Sequence, residues 1–151
     1  MIWAGQTYMD ERLIDEMKRP DSEGSKIVNG RHVVYKDSRG FDTAGYGRLM
    51  SKGFSQAEAD LMLEDDVQEA VQLAQSYSWF SGLDDVRQDV VTAMIFNLGK
   101  EHFDTFAQVK IALMGHDWDV AAQQMLQSQW AVQVGQRAQR YARIMRSGVW
   151  E

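Results

Sequence analysis

Apolar residues recur along this chain with two different periods, and the change of period near residue 54 divides it. Before that point they come in short runs separated by glycine and polar residues. Met9 to Lys18 reads as a short amphipathic helix with Leu13, Ile14 and Met17 on one side, and Pro20 disfavours helix at Arg19 and ends it. Between Lys26 and Val34 an Asn29-Gly30 pair stands between Ile27-Val28 and Val33-Val34. Asn-Gly between β-formers signals a tight hairpin, because both central residues take positive φ. Gly40, Gly45 and Gly47 punctuate a further strand-and-turn stretch that runs to Arg48.

After Gly53 the period becomes helical. Ser55-Gln-Ala-Glu58 forms a capping box. Leu63, Val67, Ala70, Val71 and Ala74 then repeat at i, i+4 and i+7 along a long helix. Asp84-Asp85 opens a second helix carrying Val86, Val90, Met94 and Ile95, which stops at Gly99. Shorter helices are predicted from about Asp104 to Met114, Asp117 to Gln127 and Gln136 to Ser147. The pattern is that of an α+β chain: an N-terminal helix over 1–21, a small antiparallel β lobe over 22–54, a connecting helix over 55–78 and a helical lobe over 79–151.

Composition narrows the function classes. The chain has 151 residues, enough for one domain with a real core, and no cysteine, so thiolate chemistry and disulfides are excluded. A formal net charge of −6 argues against nucleic acid, which requires clustered cations. The basic residues gather instead at Arg137, Arg140, Arg143 and Arg146. His32, His102 and His116 have no ligand spacing, so neither a metal nor a cofactor is expected. No apolar run is long enough to span a bilayer, and no stable membrane insertion is expected. The opening residues lack the basic head and apolar body of a signal peptide, so export is expected to depend on another component.

The densest chemistry lies in Tyr35-Lys-Asp-Ser-Arg-Gly-Phe-Asp-Thr-Ala-Gly-Tyr-Gly-Arg48, preceded by Glu23-Gly24. Two acids, a hydroxyl and a cation surround a glycine-hinged segment. Glycoside cleavage calls for such a set: one carboxyl protonates the leaving oxygen, and a second carboxylate acts across the bond. Taken singly, Glu23 and Asp37 would be solvated surface charges and Thr43 a β-branched strand residue. No phosphate loop is present, because the required Lys-Ser/Thr and following helix are absent.

The segment resembles the catalytic stretch of phage-type lysozymes, glycoside hydrolase family twenty-four, and especially those of T-even coliphages. The shared motifs are Glu-Gly, Tyr-x-Asp-x-x-Gly and Thr-x-Gly-Tyr-Gly. Thr92-Ala-Met-Ile-Phe-Asn-Leu-Gly99 resembles the family's helix end, in which Phe96 and Asn97 would face the sugar. Gln129-Trp-Ala-Val-Gln-Val-Gly-Gln-Arg137 resembles the segment whose Trp underlies the cleft and whose Arg contacts the catalytic Glu.

The resemblance implies a lysozyme-like fold and a muramidase that cuts the β-1,4 bond between N-acetylmuramic acid and N-acetylglucosamine. Glu23 would be the general acid, with Glu16 the fallback, while Asp37 and Thr43 would orient water or stabilise the anomeric centre. Leu49, Phe96, Asn97, Trp130 and Gln133 would contact substrate, and Arg137 would support Glu23. Arg48 stands where most relatives have His, and an ion pair with Asp66 is expected to replace a His–Asp pair. The expected partners are peptidoglycan glycan strands, with a holin for release from the host cytoplasm if the protein is an endolysin, or a place in the virion otherwise. The protein is expected to be a monomer. A lytic transglycosylase, or a lysozyme-fold module that binds without cleaving, are the alternatives.

Overall fold

The computed structural model describes residues 11–19 and 26–151, and the chain divides into two compact units, Met1–Ser55 and Gln56–Glu151. In the first unit, α1 (Glu11–Met17) has no buried residue, and its Leu13, Ile14 and Met17 are exposed. Pro20 lies outside the described residues. Strands β1 (Ile27–Val28) and β2 (Arg31–His32) form a two-residue hairpin with Ile27 opposite His32 and Val28 opposite Arg31. Asn29 and Gly30 take φ of 50° and 76°, the positive pair that matches the turn to the strand twist. The return strand is therefore Arg31–His32 rather than the Val33-Val34 pair, because a two-residue turn leaves no room for a later partner.

A separate three-stranded antiparallel sheet follows in the order β3 (Tyr35–Lys36), β4 (Asp42–Ala44), β5 (Arg48–Leu49). Tyr35 faces Thr43, which in turn faces Leu49. Strands this short have little apolar face to bury, and Thr43 is the one buried side chain among the described residues of this unit. Among the described residues, turn chemistry rather than a core shapes the unit.

The second unit is helical and contains every buried apolar residue among those described, from Ala70 to Met145. Its first helix, α2 (Gln56–Gln75), follows Ser55 directly and packs on α3 (Asp85–Leu98). Only Ala70 and Ala74 of the apolar stripe are buried; Leu63 and Val67 are exposed. The small side chains sit where the two helices pack. Helix α3 has the limits its ends dictate: the Asp84 carboxylate accepts from the Arg87 amide at 3.1 Å, and Gly99 closes the helix with φ of 73°.

Five further helices complete the unit: α4 (Lys100–Asp104), α5 (Ala107–Met114), α6 (Trp118–Leu126), α7 (Gln129–Val134) and α8 (Gln136–Ser147). The helix expected from about Asp104 begins instead at Ala107, because the chain turns at Thr105 and Phe106, and the short α4 before that turn was not expected. Helix α7 was not expected. It is six residues long, too short to show a period, and is started by the Ser128 hydroxyl accepting from the Ala131 amide. The fold is α+β and lysozyme-like.

The core is closed by one buried cation. Arg87 is 8% exposed and donates through Nη1 to Asp84 (2.6 Å), through Nε to the Met145 carbonyl (2.8 Å) and through Nη2 to the Arg146 carbonyl (3.0 Å). Its guanidinium carbon also lies 4.1 Å from the centre of the Trp118 ring. The start of α3, the start of α6 and the end of α8 are thereby joined through one side chain.

Candidate active site

The β3–β4 loop is folded by one of the proposed acids. The Asp37 Oδ1 accepts from the backbone amides of Arg39 and Phe41, both at 2.9 Å. The Asp37 amide and carbonyl add bonds to the Phe41 carbonyl and the Gly40 amide, each 2.9 Å. The sequence folds this way because a short carboxylate at the loop entrance can supply the acceptor that successive free amides need. The Phe41 amide, then the Arg39 amide and its guanidinium, hold the Asp37 carboxyl below the usual carboxylate range and outweigh its partial burial. Its Oδ2 has a single long contact, 3.4 Å from Arg39 Nη2.

Asp37 is therefore a charged carboxylate with one oxygen fully engaged and the other available. It suits charge stabilisation or holding a water, not proton donation. Thr43, 3% exposed on the central strand, donates its hydroxyl to the Phe41 carbonyl at 3.2 Å and keeps acceptor capacity. Asp37 and Thr43 line one open hollow of about 390 Å³ with Tyr35, Lys36, Ser38, Arg39 and Gly47. Leu49 is partly exposed beside Thr43 on β5.

Glu23 lies outside the described residues. Glu16 is exposed on α1 and pairs with Arg19 at 3.2 Å. Arg48 donates to the Gly53 carbonyl and its guanidinium carbon lies 5.4 Å from the centre of the Phe54 ring, both within its own unit.

The remaining candidates, Asn97 apart, line three hollows of the helical unit. Asp66 and Phe96 share one of about 210 Å³ with Glu69, Ala70, Leu73, Ile95 and Gly99, between α2 and the end of α3. Asn97 is exposed, so solvent can satisfy the amide that was expected to need an internal partner. Trp130 and Gln133 lie on α7 and line a groove of about 520 Å³. Trp130 is buried there, parallel to Tyr141 with ring centres 6.3 Å apart. Arg137 lines a hollow of about 370 Å³ on α8 with Gln136, Gln139, Arg140 and Arg143.

Two features escaped the sequence reading. Arg39 stands in the quoted motif, but nothing in its spacing shows that it would share a hollow with Asp37. The groove beside Trp130 gathers Gln108, Gln124, Gln127 and Gln129 around Gln133, from α5, α6 and α7 and the turn between the last two. Only the packing of those helices brings the amides together.

The sequence pattern of the phage lysozyme family matches residues 26–145. The match begins after Glu23 and covers Asp37, Thr43, Phe96, Trp130 and Arg137. It takes in the sheet that carries the charged Asp37 and the helices that carry the grooves. The chain belongs to the phage lysozyme family.

Proposed function

We propose that the protein is a muramidase that hydrolyses the β-1,4 bond between N-acetylmuramic acid and N-acetylglucosamine in peptidoglycan. The reading is carried by Asp37, a carboxylate kept ionised by two backbone amides beside the Thr43 hydroxyl in an open hollow. An ionised carboxylate is what the far side of a scissile glycosidic bond requires, either to hold the attacking water or to offset charge at the anomeric carbon. Glu23 would protonate the leaving oxygen, with Glu16 as the fallback acid. Leu49, Phe96, Asn97, Trp130 and Gln133 would contact the glycan, and Arg137 would support the acid. Arg48 would pair with Asp66, an arrangement without the histidine's proton loss near neutral pH.

The biological setting proposed is lysis of a bacterial host, as a monomer acting on the wall after holin-dependent release or from the virion. No cofactor enters the scheme.

Digestion of purified sacculi tests the reading. Wild type should release fragments with reducing muramic acid ends, and Asp37→Asn should lower the rate by about a hundredfold or more. The Asn oxygen can still accept from Arg39 and Phe41, so the circular dichroism spectrum should stay that of wild type. Glu23→Gln should abolish turbidity loss, with Glu16→Gln as its control. Anhydro-muramic products would indicate transglycosylation, and binding without any product would leave only a docking module.

A further inference from the structure

We propose that Arg39 forms a carboxylate-binding subsite at the mouth of the Asp37 hollow and receives an anionic group of the peptidoglycan substrate. The proposal rests on the muramidase reading above and concerns which substrates that site prefers. Within the loop, the backbone and side chain of Arg39 have separate tasks. Its backbone amide holds Asp37 at 2.9 Å, so the fold of the loop does not need the guanidinium. The guanidinium touches Asp37 through one nitrogen at 3.4 Å, where a structural Arg–carboxylate pair would be shorter and two-pronged. The side chain is 72% exposed.

The guanidinium also lies over the half-exposed Phe41 ring, its carbon 5.2 Å from the ring centre. Such an aromatic shelf holds the planar group by one face and leaves its edge N–H donors available. The neighbouring cation of the hollow, Lys36, is engaged with Asp42 at 2.8 Å. Arg39 is thus the hollow's less committed cation, poised beside the residue proposed to act at the sugar.

A cation there also answers a physical difficulty. The chain carries a net charge of −6, while peptidoglycan displays free carboxylates on its stem peptides, and on its muramic acid lactyl groups wherever the peptide has been removed. A fork beside the scissile region would offset that repulsion where it matters most, and its two parallel N–H donors match a carboxylate.

The test compares KM and kcat on three substrates: native sacculi, sacculi whose carboxyls have been converted to amides with carbodiimide and methylamine, and glycan strands stripped of peptide by an amidase. Wild type should show a KM about fivefold lower on native than on amidated sacculi, the size expected of a solvent-exposed charge pair. Arg39→Gln should show one high KM on both, with kcat within about twofold of wild type. Arg39→Lys, which keeps the charge but not the fork, should restore part of the difference. A KM on stripped strands, whose lactyl carboxylates the amidase has freed, that matches native sacculi and rises in Arg39→Gln identifies a lactyl carboxylate as a ligand, and one as high as on amidated sacculi identifies the stem peptide.

Arg39→Gln retaining the full wild-type preference would overturn the proposal. So would an equal loss of kcat on every substrate, since that is the signature of a residue that only holds Asp37. Wild type that cleaves all three without preference defeats the subsite alone. Wild type that cleaves none defeats the muramidase reading as well.

Discussion

Replacing Arg87 with Met should unfold the helical unit more readily than any surface change. Methionine keeps an apolar stem over Trp118 but removes three hydrogen bonds. The Met145 carbonyl, buried where Arg87 reaches it at 2.8 Å, loses its donor, and such an orphan costs about 2 kcal/mol. The Arg146 carbonyl and the half-exposed Asp84 carboxylate can turn to water, so each adds only a few tenths of a kcal/mol. Loss of the cation from the Trp118 face contributes about 1 kcal/mol. Asp84 still accepts from the backbone amide of residue 87, so the α3 cap survives.

The expected loss is about 3 kcal/mol, or a fall in Tm of about 9 °C for a chain of this size. Urea unfolding followed by tryptophan fluorescence would measure it. A loss below about 1 kcal/mol would show that water replaces the guanidinium at all three acceptors, and the clamp would then be incidental to stability.

Other outcomes follow from the same geometry. Gly148 ends α8 with φ of 67°, and a Cβ there would fall 2.6 Å from Arg87 Nη1. Gly148→Ala should therefore cost about 2 kcal/mol in wild type but only about 1 kcal/mol on the Arg87→Met background, a non-additivity that a double-mutant cycle would detect. Gly30→Ala, at φ of 76°, should lower hydrogen-exchange protection in the β1–β2 hairpin while leaving α3 and α8 unchanged. Asp104 is bonded by Lys100 Nζ (2.7 Å) and the Tyr77 hydroxyl (2.5 Å), which lower its pKa from 3.8 to about 2. Its stabilising effect is therefore complete above pH 3.8 and lost as pH falls through 2. Asp104→Asn should be less stable than wild type at pH 7, and the gap should close across that window in chemical denaturation.

Local chemistry determined the elements whose ends carry their own signal. Asn29-Gly30 specifies a turn because few other residue pairs accept two positive φ values, and the β1–β2 hairpin forms there. Asp84 and Gly99 delimit α3 for the same reason: a carboxylate satisfies the first free amides, and a glycine reverses the chain at the end. The motif around Asp37 was legible as chemistry because an acid, a hydroxyl and glycines lie close in sequence, and the family it pointed to is the one to which the chain belongs.

Packing decided the rest. Leu63 and Ala70 belong to one apolar stripe, yet only Ala70 is buried, because helix periodicity states which residues share a face and not what lies opposite it. The Arg87 clamp joins residues nearly sixty positions apart, and spacing carries no trace of it. Asp37's protonation state likewise depended on where its loop brought the Phe41 and Arg39 amides. Sequence names the groups that can react, but a carboxylate's charge and an arginine's freedom follow from neighbours set in place only by the folded chain.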